Sequence, residues 1–172
     1  MADEVMEQTA ELRAWKIATA RGSAPNTAAA LLAEMRARGV EALVVDSRMV
    51  FGTDHIRSAL YHAKKALQEG RNVSDSLSME TLLYLSGERQ LNAAITKMSP
   101  RQGSTGLVIA RLAGSDLKPP PEWAELPSVV DDLSPARLAE FGISESELGT
   151  CLPGRVVELV LEKVAAVDVM KK

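Results

Sequence analysis

The stretch EALVVDSRMVFGTDHIRSALYHAKKAL (Glu41–Leu67) changes its period halfway along, and that change decides the fold class. Glu41 to Asp46 is a short run rich in β-branched residues, the pattern of a buried strand. Gly52-Thr53-Asp54 breaks the run and marks a new start, with Thr53 expected as the N-cap. Beyond it Ile56, Ala59, Leu60, Ala63 and Leu67 recur at steps of three and four, which places them on one stripe of a helix. A strand that leads through a turn into an amphipathic helix commits the chain to a mixed fold.

Working outward, Leu12 to Arg21 reads as another strand, with Arg13, Trp15, Ile17 and Thr19 on one face. Gly22 to Asn26 breaks it and opens a helix carrying Leu31, Leu32 and Met35, which Gly39 stops. Downstream, Gly70-Arg71-Asn72 ends the helix of the opening stretch. A second helix starts at Ser76 or Ser78, and a third carries Leu91, Ala94, Ile95 and Met98 up to Pro100. Between them lies Ser86-Gly87-Glu88-Arg89-Gln90, which by itself reads as a helix–helix junction. Gly87 fits a left-handed cap or a close backbone approach. Leu107 to Leu112 is a third buried strand. Lys118-Pro119-Pro120-Pro121 must be a surface connection, because proline supplies no amide to a ladder, and Trp123 is placed to anchor it. Short helical pieces follow at Ser134-Pro135 to Gly142 and after Ser144, and a last helix follows Pro153-Gly154.

At 172 residues the chain suits one domain, residues 1–172, with a compact two-lobed arrangement still open. Residues 1–9 are polar and acidic and read as flexible. Apolar residues make up 46% of the chain but aromatics only 3%, so the core is aliphatic. A net charge of −3 argues against a self-sufficient nucleic-acid binder, though not against a local basic face. With one cysteine, Cys151, and two histidines, neither an internal disulfide nor a thiolate metal cluster can form within one chain. Cys151 is expected as a small buried hydrophobe. No long apolar run and no leader pattern is present, which points to the cytoplasm.

Catalytic machinery is scarce. No G-x-S-x-G frames a serine, and neither P-loop nor dinucleotide glycine patterns occur. Asp131-Asp132 is a paired-carboxylate candidate in a polar turn. His55 sits beside a helix start, where packing or hydrogen bonding is its expected role, and His62 lies on a helix flank. The expectation is a protein without catalytic residues, metal or cofactor.

Two surfaces stand out instead. Arg57, Tyr61, Lys64, Lys65 and Gln68 share one face of the helix in the opening stretch, either as a solvated face or as a strip that tracks phosphates. In the last helix Val156, Val157, Val160, Leu161, Val164 and Val167, extended by Leu159, Ala166 and Met170, give an apolar arc about twice the usual width of roughly 100°. Such a helix is either sandwiched within its own fold or shared with a partner.

Three segments carry a family resemblance: Val44 to Ala59, with the family's V-x-G-x-x-H-L pattern met at Val50 to His55, then Glu69-Gly70-Arg71-Asn72-Val73-Ser74, then Leu85-Ser86-Gly87-Glu88-Arg89-Gln90. In this order and spacing they resemble the PRPK-binding (TPRKB, Cgi-type) subunits of the KEOPS/EKC complex, archaeal members above all. Phe141-Gly142-Ile143 with Glu145 and Glu147 is similar to the family's region before its final helix. Phe51 stands where a small residue is common, Ile56 replaces a leucine, and the proline-rich loop at 118–123 is longer than the family pattern. The resemblance implies an α+β fold, a small mainly antiparallel sheet packed against a layer of several helices. It also implies a non-catalytic regulatory subunit of the complex that makes threonylcarbamoyladenosine in ANN-decoding tRNAs. Such a subunit binds and stimulates the PRPK-type kinase, meets the other subunits indirectly, and helps hold tRNA by its CCA end. On this reading Val157, Val160, Leu161 and Val164 contact the kinase. Arg57, Lys64, Lys65 and Arg71 meet tRNA phosphates, and Gly87, Glu88, Arg89 and Gln90 lie near its single-stranded end.

Overall fold

The computed structural model describes residues 12–171, which form two compact units, each built from two stretches of chain. The flexibility expected of residues 1–9 lies outside the described residues.

The first unit comprises residues 12–47 and 99–126. It holds strands β1 (Arg13–Ala18), β2 (Val40–Asp46), β3 (Gly106–Gly114) and β4 (Ala124–Glu125), with helix α1 (Ala24–Ala37). The sheet is antiparallel throughout, in the order β2-β3-β1-β4. Trp15 of β1, Val44 of β2 and Ile109 of β3 form one cluster with Ala28 and Met35 of α1, so the helix covers one face of the sheet. β1 is shorter than the alternation predicts, because a turn closed by the Ser23 amide on the Ala20 carbonyl takes over beyond Ala18. Asp46 ends β2 buried, accepting a hydrogen bond from the Ser104 hydroxyl at 2.5 Å. The proline-rich loop turns through a Trp123 amide bond to the Pro120 carbonyl, and Trp123 packs on Trp15 with ring centroids 5.7 Å apart. Between this loop and α1 lies a cavity of about 350 Å³ walled by Leu31, Met35, Leu117 and Trp123.

The second unit comprises residues 48–98 and 127–171 and is helical. Its elements are α2 (Thr53–Gln68), α3 (Leu77–Ser86), α4 (Leu91–Met98), α5 (Pro135–Phe141), α6 (Glu145–Thr150) and α7 (Val156–Met170). α2 buries Ile56, Ala59, Leu60 and Ala63 as the stripe requires, with Ala66 completing it while Leu67 sits at the edge. Its N-cap is Gly52, not Thr53. The first amides of α2 are instead satisfied by the Pro127 carbonyl at 2.8 Å and the Ser128 carbonyl at 3.2 Å. That strap passes so close to Gly52 (φ 126°) that a Cβ there would lie 2.1 Å from the Ser128 oxygen, so only glycine fits. Arg137 of α5 is buried and donates to the carbonyls of Arg48, Val50 and Asp132, holding the turn before α2. These observations make the chain α+β, with an antiparallel sheet and helices. No helix among the described residues is long and apolar enough to cross a membrane.

Candidate interaction surfaces

The last helix resolves its broad arc into two parts. Val160, Val164 and Val167 are fully buried within the helical unit, while Val157 and Leu161 remain half-buried beside them. Val160 and Val164 therefore have no surface to offer a partner, which corrects the expectation for those two residues. Steps of four and three put them on the side of α7 that packs on α2 and α3. Val169 and Met170 are exposed at the end of the same helix, Val169 to 70%.

The basic strip is also divided. Arg57 pairs with Asp54 at 2.6 Å, one turn back on α2. Arg71 is held twice, by Glu69 at 2.5 Å and by Asp168 of α7 at 3.1 Å. These two bonds push its guanidinium pKa up further. Lys64 is half-buried and interacts within the chain, whereas Lys65 and the neighbouring Tyr61 are exposed. As a row of unpaired charge the strip is thus reduced, by the nearby Asp54 and Glu69 and by Asp168, which arrives from 97 positions away.

Asp168 is the hub of that arrangement. Burial tends to raise its pKa, but hydrogen bonds from the Tyr84 hydroxyl at 2.5 Å, from Arg71 and from His62 at 2.8 Å hold it below the ordinary value. Burial, and then the bond to Asp168, push the Tyr84 phenol up. His62 stacks on Tyr84 with centroids 5.5 Å apart. Next to it the buried Glu80 accepts the amides of Val73 and Ser74 and pairs with Lys171. Sequence reading missed this cluster; Glu80 sits one turn inside α3, where its spacing resembles any helix-start acid.

The Ser86–Gln90 segment is the junction between α3 and α4, as its spacing predicts. Gly87 is its left-handed cap (φ 71°), and a Cβ there would approach the Lys163 Cβ to 3.3 Å, so both reasons for glycine apply. The Gly87 amide bonds the Tyr84 carbonyl at 3.1 Å, and the Glu88 amide bonds the buried Ser86 hydroxyl at 3.1 Å. Glu88 itself reaches back to Lys97 at 3.4 Å. Arg89 and Gln90 are exposed at the tip, and Arg89 forms no ion pair among the described residues. Below the junction, His55 is buried. Its Nδ1 accepts the Phe51 amide at 3.2 Å, so Nε2 carries the proton and donates to the Leu85 carbonyl at 2.8 Å. Burial lowers its pKa to about 3, leaving a neutral packing residue.

The remaining candidates are structural in position. Asp132 accepts the Ser134 amide at 3.1 Å, which holds its carboxyl low, and lies at the start of α5. Cys151 is half-buried at the end of α6, not enclosed as expected. No group of three or more His, Cys, Asp or Glu placed to hold a metal occurs among the described residues. The helical unit thus presents an apolar flank on α7 and an exposed polar junction between α3 and α4. Residues 23–148 match the family model described as kinase binding protein CGI-121, and the chain belongs to that family. Membership assigns a kinase-binding, regulatory role. No curated protein matches the chain.

Proposed function

We propose that the chain is the non-catalytic subunit of a KEOPS complex that grips and stimulates a PRPK-type kinase and helps recruit ANN-decoding tRNA by its CCA end for threonylcarbamoyladenosine synthesis. Membership of a kinase-binding family supports the first half. The observation that carries the proposal is the outer flank of α7, where Val157 and Leu161 stay partly open beside a buried core of valines. A partner helix laid on that flank would bury apolar surface worth about 25 cal/mol per Å². The test is co-purification with the kinase. Leu161→Arg should abolish the pairing while thermal unfolding stays cooperative, and undiminished pairing would refute this face.

The second half rests on the exposed tip of the α3–α4 junction. An unstacked nucleotide end offers base edges that Arg and Gln side chains can read, and Lys65, exposed further along α2, is available to a phosphate elsewhere on the same tRNA. Gel shifts with the isolated subunit, on tRNA with and without the terminal CCA, decide it. A CCA-dependent shift supports recruitment. Equal, weak shifts favour a second reading, a regulator that binds the kinase alone. The internal pairing of Arg57 and Arg71 is the observation on that side.

A further inference from the structure

Lys97, near the end of α4, keeps only 17% of its side chain exposed. Its ammonium donates to the Ser86 carbonyl at 2.7 Å, lies 3.4 Å from the Glu88 carboxylate, and sits 4.1 Å from the centroid of the Phe141 ring. Burial depresses its pKa, with Glu88 pulling the other way. Packing alone does not call for a cation here, since a methionine of similar length would fill the same space without the cost of desolvating a charge. What methionine lacks is the pair of bonds to both sides of Gly87, one to the carbonyl before it and one to the side chain after it.

We infer that Lys97 is a positioning residue for the junction: by tying Ser86 and Glu88 to α4 it fixes where Arg89 and Gln90 project. Glu88 is accordingly a tether in this arrangement, and reading falls to Arg89 and Gln90. Three further contacts converge on the same backbone. The Gly87 amide caps α3, Ser86 Oγ accepts the Glu88 amide, and Gly87 rests against Lys163, whose own ammonium is held by Glu147 at 2.6 Å. Lys97 is the member of this set that joins α4 to the junction through charge. For its use, though not for its existence, the clamp rests on the tRNA reading above.

The experiment compares wild type, Lys97→Met and Lys97→Arg by native-state hydrogen exchange and by binding to tRNA with and without CCA. In Lys97→Met the amides from Gly87 to Leu91 should exchange about tenfold faster, while those of α2 and α7 keep their protection, and Lys97→Arg should restore much of the loss. Unchanged exchange at the junction, or acceleration spread evenly over the helical unit, overturns the clamp whatever tRNA does. With the clamp established, Lys97→Met should erase the CCA-dependent part of binding and leave the affinity for CCA-less tRNA as it was. If wild type itself makes no distinction between the two tRNAs, the tRNA reading fails and the clamp stands on its exchange data alone.

Discussion

Two helix ends in the helical unit look alike in sequence and behave differently. α2 closes on Glu69-Gly70-Arg71 and α3 on Ser86-Gly87-Glu88-Arg89, each with a left-handed glycine, at φ 65° and φ 71°. After α2, the Arg71 amide reaches the Ala66 carbonyl at 2.8 Å and the Gly70 amide that of Leu67 at 3.4 Å, the paired bonds of a Schellman end. The arginine side chain then folds inward onto Glu69 and Asp168. After α3 the arrangement is reversed. The backbone is held by an inner lysine, and Arg89 is left pointing to solvent. An arginine beside a capping glycine is therefore no guide to its role. The carboxylates that the rest of the fold brings near it decide.

Acid gives the largest test. His55 supports Leu85, in the last turn of α3, and is neutral in the folded chain with a pKa of about 3 against an ordinary 6.5. Because its folded value is the lower one, the unfolded chain binds the proton first. Its contribution is full above pH 6.5 and is lost as pH falls towards 3, about 4–5 kcal/mol when complete. Urea titrations at stepped pH should show that decline, and His55→Gln should flatten it. Asp168 adds to the loss at lower pH still, since its carboxyl is held below the ordinary value.

Removing the hub of the α2 end comes next. Asp168→Ala strands Tyr84 and His62 together and takes one of two carboxylates from Arg71, with a cost of about 2–3 kcal/mol in urea unfolding. It leaves Arg71 paired with Glu69 alone, so the salt dependence of any nucleic-acid binding should steepen by less than about one unit of slope. The two glycines separate the ends more finely. Gly87→Ala meets both the left-handed backbone and Lys163, and should cost about 2 kcal/mol; Gly70→Ala has open space and should cost about 1 kcal/mol. Equal costs would mean that the contact with Lys163 is soft. Smallest in stability and sharpest in function is the arginine pair. Arg89→Ala should leave the unfolding midpoint within about 0.5 kcal/mol yet weaken CCA-dependent binding, and Arg71→Ala should do the opposite.

Much of this was legible in the residues themselves. The strands at 41–46 and 107–112, the junction at 86–90, the helix start at Ser144 and, to within two residues, that at Ser76 were readable because period and capping act over one or two turns. Trp123 was rightly expected to anchor its loop. The N-cap of α2 was misplaced because the group that satisfies its amides, the Pro127–Ser128 strap, arrives from more than seventy residues away. The burial of Val160 and Val164 in α7 and the pairing of Arg71 with Asp168 were hidden for the same reason.

By itself the sequence determined the main helices and strands, along with the family, because backbone preference, apolar period and glycine caps are local properties written in neighbouring residues. Tertiary structure alone decided the strand order and which of several similar valines and arginines face outward. Burial and ion pairing depend on partners such as Arg71 and Asp168, 97 positions apart, that no linear pattern brings together.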